Sequence, residues 1–511
     1  MLAWAALPAF AAEEASLPTV AHVLQAYHSA VAPTGALAPD VLEESGTLSG
    51  AALQGNFHSW HSGEYDRFDQ SLGVRMERTL KIGDHHYEEN SSGDVHEVKG
   101  YLLRRARTQD FIGSSDLWDQ PQYSKLIGRH SLEDGRDVYE IDVMPPGGET
   151  ETIFVDAHSS LIDRLQYVDG DGLLTADFSE YAPVKGYLFP MKSLESDGDH
   201  AFDITQIVDS VHAGGTIPAS VFAPFAGSVI QSDGPVTVPI EVRDGNVFTD
   251  VVIHDHHFRF LVDSGAQGVV LNRRIIASLG IVPQGALEAR GAKRTGGLGV
   301  AQLDVVHLGA ATLPVRVVSV LDLDSSTHGA LDVDGILGYP LFAAASVRID
   351  YGGKTMTLAA PGGLKPDGIK LDVDVDRELP EIQATVNGVN GTFLVDTGNA
   401  NELLVYRRFV EAHAGLVPFG AAGTSNFGVG GSTISYPTTI DELDVGPFRL
   451  FHRNTTVIMS DSGAFADRYD AGDIGSPVLS NFIVTFDDAN RALYLRAAPT
   501  FDDGRDRRVF T

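Results

Sequence analysis

The chain has 511 residues, 43% of them hydrophobic and 21% charged, and no cysteine. That composition calls for two or three globular domains and excludes disordered and fibrous classes, disulfides, thiol catalysis and cysteine-ligated metal. Its 69 acidic against 37 basic residues leave a net charge of −32, which repels phosphate backbones and argues against nucleic-acid binding; no stretch approaches the roughly 20 apolar residues of a bilayer-spanning helix, so no transmembrane segment is expected.

Residues 1–12, MLAWAALPAFAA, are apolar and end in Ala9-Phe10-Ala11, the small-residue spacing that signal peptidase accepts. No Lys or Arg precedes Arg67, so the basic start of a signal is absent. The segment reads either as part of an export signal, which makes the protein periplasmic or secreted, or as a frayed apolar end. Ser16 is a candidate cap for a helix over 18–31, with Val20, Val23, Leu24 and Tyr27 on one face. From about 48 to 211 the texture changes to short alternating runs at 71–80, 138–143, 151–155, 161–167 and 173–178, with Gly83-Asp84 and Asp169-Gly170 as turns. Such runs predict an antiparallel meander. One helix, a meander and a closing segment at 217–222 together resemble the outer-membrane lipoprotein-carrier fold, an open half-barrel with an apolar concave face. The resemblance makes 16–224 one antiparallel-sheet domain and implies a lipid or hydrophobic peptide as its ligand. A scaffold with a filled core is the other reading of the same pattern.

A Gly/Pro/Ser-rich passage at 225–235 follows, and a second punctuated stretch at 361–368 divides the remainder into 235–360 and 369–498. These two portions repeat one another. Phe260-Leu261-Val262-Asp263-Ser264-Gly265 recurs 133 residues later as Phe393-Leu394-Val395-Asp396-Thr397-Gly398. Upstream, Ile253 falls opposite Val386; downstream, Val270-Leu271 falls opposite Leu403-Leu404, each before an Arg-Arg pair and a helix-like segment closing at Gly280 or Gly415. Both portions end in an apolar-Gly element, at Gly338 and Gly475, followed by two strands. One Asp-Ser/Thr-Gly tripeptide is weak evidence; two in matched surroundings are strong.

The chemistry follows from the pattern. Each apolar run is a buried strand, and each tripeptide is the tight loop at its end, where Gly opens the backbone and the hydroxyl can bond across to the partner loop. A pseudo-twofold arrangement brings two carboxyls within about 3 Å, where they cannot both ionise. The ionised member draws a proton from water while the protonated one polarises a carbonyl. The two portions resemble the lobes of a retropepsin- or pepsin-like aspartic protease, most closely the bacterial aspartyl proteases with both lobes on one chain. The resemblance implies a mainly β architecture with a bilobal barrel pair after the N-terminal half-barrel, and a peptide or protein substrate. It makes Asp263 and Asp396 the catalytic dyad, with Ser264, Gly265, Thr397 and Gly398 supporting the loops and Gly338 and Gly475 in the strand crossing behind each. No cofactor or metal is needed. Gly296, Gly297 and Gly299, and Gly428, Gly430 and Gly431, take the position of flaps; neither flap offers the pepsin-type tyrosine, which implies retroviral-type closure. Asn399 departs from the small residue expected after the loop, Ala266 in the first portion. An inactive protease-like protein that binds peptide or lipid in the periplasm is the alternative function.

Other constellations have blander readings. His254-Asp255-His256-His257 has metal-ligand chemistry, but it falls opposite the hairpin turn Asn387-Gly388-Val389-Asn390. His58 and His61, beside Trp60, read as sheet-surface residues. Asp372, Asp374 and Asp376 alternate with apolar residues, as in a half-exposed strand.

Overall fold

A computed structural model describes residues 17–329, 331–375, 377–418 and 423–506. The apolar 1–12 segment, Ser16 and Asp376 lie outside them. The first helix, Val20–Val31, is capped by Thr19, whose side chain accepts from the His22 amide. It therefore starts two residues beyond the expected position. A thirteen-stranded antiparallel sheet follows, running from Val95–Glu97 at one edge to Ser124–Ser131 at the other. Its two halves join where the first strand, Val41–Gly50, pairs with the last, Ile204–Ala213. The run at 71–80 is not one strand. It straddles the tight turn at Gly73 between Tyr65–Leu72 and Arg75–Ile82.

A second helix, Gly100–Ile112, carries no clear pattern in the sequence, because its charged residues mask a weak apolar face. It buries Tyr101, Thr108 and Phe111. Val23 and Leu24 of the first helix meet Phe111, Leu117, Ile141, Ile153 and Ile162 in one core. The sheet face under the helices is thus filled by side chains. His58 and His61 are half-buried on the Leu53–Ser62 strand, stacked on Trp60 and bonded to Asp66 respectively.

Most of the rest of the described chain forms two closed six-stranded barrels of identical strand order. In the first, Asn246–Ile253, His256–Val262, Gly335–Leu337, Val269–Asn272, Ala311–Leu321 and Arg294–Leu308 pair in that sequence. The ring closes at Val252 opposite His307. In the second, Glu381–Val386, Val389–Asp396, Gly472–Gly475, Leu403–Tyr406, Phe448–Ile458 and Gly431–Val445 do the same. That ring closes at Ala384 opposite Val445. His254 and Asp255 take positive φ, as do Asn387 and Gly388. The histidine-rich tetrad is therefore a tight hairpin turn, the same one used in the second barrel.

The barrels are fused beneath by Ser346–Asp350, which pairs antiparallel with Phe482–Asp487. Thr355–Ala359 and Ala492–Ala497 flank that pair, and Val236–Arg243 and Ile369–Asp372 lie outside them. Phe260, Phe342, Phe393 and Phe486 belong to a single core shared by both lobes. No helix among the described residues is long and apolar enough to cross a membrane.

The N-terminal sheet is seated on the lobes. Tyr101 stacks on Tyr469 at 3.7 Å, and Arg316 reaches the buried Glu89 at 3.0 Å. At the same seam Asn90 Nδ2 donates to Asp94 at 3.3 Å and to Glu378 at 2.7 Å. Desolvation pushes Asp94 up to about 7 and Glu378 to about 8. It also raises Glu151 and Asp488 to about 8. Unfolded, these carboxyls ionise near pH 4 without penalty; folded, they hold their protons to pH 7–8. Their contribution is therefore fully present below pH 4 and lost as pH rises through 8, at up to about 1.4 kcal/mol per group and pH unit. Thermal unfolding is expected at a clearly higher temperature at pH 5 than at pH 8. A melting temperature that rises across that interval would contradict this ledger of buried acids.

Candidate active site

Two loops meet on the pseudo-twofold axis between the barrels. Each follows a strand whose apolar run is buried: Phe260, Leu261 and Val262 before Asp263, and Phe393, Leu394 and Val395 before Asp396. Behind each loop a short strand runs parallel to it, Val262 opposite Leu337 and Asp396 opposite Gly475.

The loops are tied by a reciprocal set of hydrogen bonds. The Ser264 amide donates to Thr397 Oγ1 at 3.0 Å, and the Thr397 amide donates to Ser264 Oγ at 3.0 Å. Each hydroxyl then donates across the axis, Ser264 Oγ to the Val395 carbonyl at 2.6 Å and Thr397 Oγ1 to the Val262 carbonyl at 2.8 Å. Both side chains are fully buried, so every donor and acceptor in the set is satisfied away from water. This places the two aspartates together. The Gly265 amide donates to Asp263 Oδ1 at 3.0 Å and the Gly398 amide to Asp396 Oδ1 at 2.7 Å.

The carboxyls are hydrogen-bonded to one another, and Asp263 is held well above the usual carboxylate range by burial first and by the Asp396 charge second. A carboxyl in that position keeps its proton while its neighbour is ionised. The arrangement leaves no room at the loop glycines. A Cβ on Gly265 would stand 2.5 Å from Asp396 Cγ, and one on Gly398 would overlap the Asp263 carboxyl. Gly398→Ala is therefore expected to separate the carboxyls and to cut any chemistry that needs the pair by at least about a hundredfold, since misplacement by about 1 Å costs that much. Activity within a few-fold of the parent would show that the loops tolerate the wedge.

Each lobe also carries a long hairpin in the stretch expected to hold its flap. The first, Gln284–Arg290 with Arg294–Leu308, turns at Gly291-Ala292-Lys293; the second, Thr424–Gly428 with Gly431–Val445, turns at Val429-Gly430. Their tips touch. The Lys293 amide points at the Val429 carbonyl at 3.4 Å, and the Ala464 amide donates to the Gly291 carbonyl at 2.9 Å. Gly428, Gly430 and Gly431 sit at or beside the second tip. Gly296, Gly297 and Gly299 do not form the first: they lie along its rising strand, where Gly299 pairs with Val320 and the Gly297 carbonyl accepts from Arg273. The actual tip is flanked by Arg290, Lys293 and Arg294, a charged run that reads as an ordinary surface turn.

Three features are absent from the sequence reading. The turn between Ile162–Asp169 and Gly172–Ser179 grips the first flap: Asp171 takes Arg294 in a two-pronged bond at 2.9 Å on each side, and Asp169 takes Arg290 at 2.8 Å. Ser476 Oγ donates to the Thr397 carbonyl at 2.9 Å and lies 3.2 Å from the Tyr351 hydroxyl. Asn399 faces a third buried carboxyl, Asp473, which adjoins Asp396. Among the described residues no cluster of His, Asp or Glu has the geometry of a metal site.

Known proteins resemble parts of the chain. Over 123 residues it is 29% identical to the D-aminoacyl-tRNA deacylase of Staphylococcus aureus (strain JH9), covering 24% of this chain and 79% of that protein. Among solved structures, an aspartic proteinase from Irpex lacteus aligns over 98% of its length and 52% of this chain, at 13% identity and a TM-score of 0.34. A LolA superfamily protein from Nitrosomonas europaea aligns over 99% of its length and 41% of this chain, at 12% identity and a TM-score of 0.30. Residues 249–341, the stretch that carries Asp263, the first flap and Gly338, match the family described as aspartyl protease.

Proposed function

We propose that this chain is an aspartic-type endopeptidase that hydrolyses peptide bonds with a water activated by Asp263 and Asp396. The observation that carries the reading is the pair of hydrogen-bonded carboxyls on loops locked by Ser264 and Thr397. One proton shared by the pair supplies both halves of the chemistry. The ionised carboxyl takes a proton from the water as it attacks, and the protonated one gives its proton to the carbonyl oxygen. The tetrahedral intermediate then collapses with proton return to the leaving amine, so no covalent enzyme intermediate forms. Burial of the loops excludes competing solvent and strengthens each of these interactions. The flap tips must part for an extended peptide to enter. The Ala9-Phe10-Ala11 spacing further supports an exported protein.

Incubation with heat-denatured casein from pH 3 to 8 tests the reading: fragments are expected from the parent protein and none from Asp263→Asn or Asp396→Asn. A peptide-binding protein without chemistry is favoured by one observation, the polar Asn399 where the first lobe has Ala266. It would retain substrate uncut in the same experiment.

A further inference from the structure

The second lobe departs from the first at two positions that touch each other. In the first barrel, Leu261 stands opposite Ile336, one residue short of the register that ends at Val262 and Leu337. Ile336 is buried with Phe248, Leu321 and Leu323, and Ala266 packs against that cluster. In the second barrel the same register places Leu394 opposite Asp473. An acid therefore occupies the slot of an isoleucine, and Asn399 occupies the slot of Ala266. Asp473 is 2% exposed and Asn399 6%. A buried carboxyl in place of an aliphatic side chain is destabilising unless something compensates it.

The surroundings of Asp473 define what it does. Its carboxyl is hydrogen-bonded to Asp396 and adjoins the Asn399 amide, while its Oδ1 has no hydrogen-bond partner among the described residues. Leu404, on the neighbouring strand, stands directly opposite it, and the fully buried Tyr406 lies two residues on. The charged and titratable groups around it are Asp396 and Asp263 on the two loops and Tyr406 on the flanking strand, which Asp470, three residues earlier in the chain, also faces. Asp470 is itself bonded to Arg377 at 2.7 Å. With two carboxyls beside it and no cation bonded to it among the described residues, burial holds Asp473 well above the ordinary carboxylate range. Two carboxyls in contact need a proton between them, and burial favours its resting on Asp473. Asp396 also takes the Gly398 amide at 2.7 Å.

We propose that Asp473 is a positioning residue for the dyad, a neutral third acid that donates to Asp396 and so assigns Asp396 the ionised, water-activating role and Asp263 the proton-donating role. The inference rests on the endopeptidase reading. During the reaction the proton from water goes to Asp396 and the Asp263 proton goes to the carbonyl oxygen. The proton on Asp473 stays in place. The pseudo-twofold symmetry of the two loops, which by itself leaves the roles interchangeable, is broken from behind the second loop.

The test compares kcat/KM against pH for the parent, Asp473→Ile (the residue of the first lobe) and Asp473→Asn, with denatured casein as substrate. A donor to an anion lowers that anion's pKa. Losing it in Asp473→Ile is expected to move the acidic limb up by about one pH unit and to lower kcat several-fold, with KM changed less than twofold. The amide of Asp473→Asn can still donate, so its limb is expected to stay within a few tenths of a unit of the parent's. An unmoved limb in Asp473→Ile overturns the proposal. So does a downward shift, which is the sign expected if Asp473 were ionised and repelled Asp396. Infrared difference spectra of parent and Asp473→Asn at pH 7 give a readout that needs no activity. Loss of one protonated-carboxyl stretch is expected, and an unchanged spectrum overturns the proposal even if the isoleucine variant fails to fold. A parent protein that cuts no casein, with the carboxyl stretch still lost, would refute the endopeptidase reading rather than the protonated state of Asp473.

Discussion

Replacing Asp263 or Asp396 by Asn is expected to remove peptide cleavage, by at least about a thousandfold in kcat/KM, while leaving the fold as stable as before. The size follows from the chemistry. In the proposed reaction the pair acts as general base and general acid on the same step, and each role is worth about 10²–10⁴ in rate. Losses at groups that act as a unit do not add, so the double variant should be no slower than either single one. The stability half of the expectation is less intuitive and more discriminating. Burial and the neighbouring charge disfavour ionisation of Asp263. The folded state therefore binds its proton more tightly than the unfolded chain, and any ionisation penalty is absent below pH 4 and grows as pH rises. An asparagine never ionises, yet it can keep the hydrogen bond from the Gly265 amide at 3.0 Å. At pH 7 the Asp263→Asn protein should melt at or above the parent's temperature. Activity lost together with several degrees of melting temperature would point to a damaged loop and leave the chemical role unproved. Activity retained in both single variants would end the dyad reading.

What could be seen in the sequence follows from which interactions are local. The tripeptides, the apolar runs before them and the hairpin turns at 254–255 and 387–388 are short-range patterns repeated 133 residues apart, and repetition separates signal from chance. Nothing local marks Asp473. Gly475 belongs to a recognisable apolar-Gly element, but the meaning of an acid two residues earlier depends on the cross-strand register that pairs it with Leu394, two residues before Asp396. The first flap fails for a related reason: glycines 296, 297 and 299 look like a hairpin tip, whereas the chain turns at 291–293 because the tip is pinned by contacts with Val429 and Ala464 from the other lobe. The Gly100–Ile112 helix is hidden by its arginines, Arg104, Arg105 and Arg107, which fall between the three residues it buries far apart in sequence. The seat of the N-terminal sheet on the flap was invisible for the plainest reason. Asp169-Gly170-Asp171 reads correctly as a turn, and a turn carries no mark of what it will touch.

That turn yields the second large effect. Arg294 begins the rising strand of the first flap and is bonded to Asp171, Asp197 and Glu288. Its side chain is 21% exposed, and those of Asp171 and Asp197 only 4% and 9%. Asp171 also accepts from the Gly463 amide at 2.7 Å, beside the residue that holds the Gly291 carbonyl. A single guanidinium thus ties the flap, the N-terminal sheet and the second lobe at one point. Arg294→Ala would leave two acids buried without their cation. Breaking a buried pair from one side costs about 3–5 kcal/mol, and here the cost falls on the local opening of the flap, since the shared core of the lobes is untouched. Amide hydrogen exchange across 284–300 is expected to speed up by at least about a hundredfold, with exchange in the 482–487 strand unchanged. Arg294→Lys keeps the charge but cannot reproduce the two-pronged bond to Asp171, so its flap should exchange at an intermediate rate. Unaltered protection of the flap in Arg294→Ala would show that the tip contacts with Val429 and Ala464 hold it shut unaided. Slower opening in that variant than in the parent would mean the acids pull the flap away from the dyad.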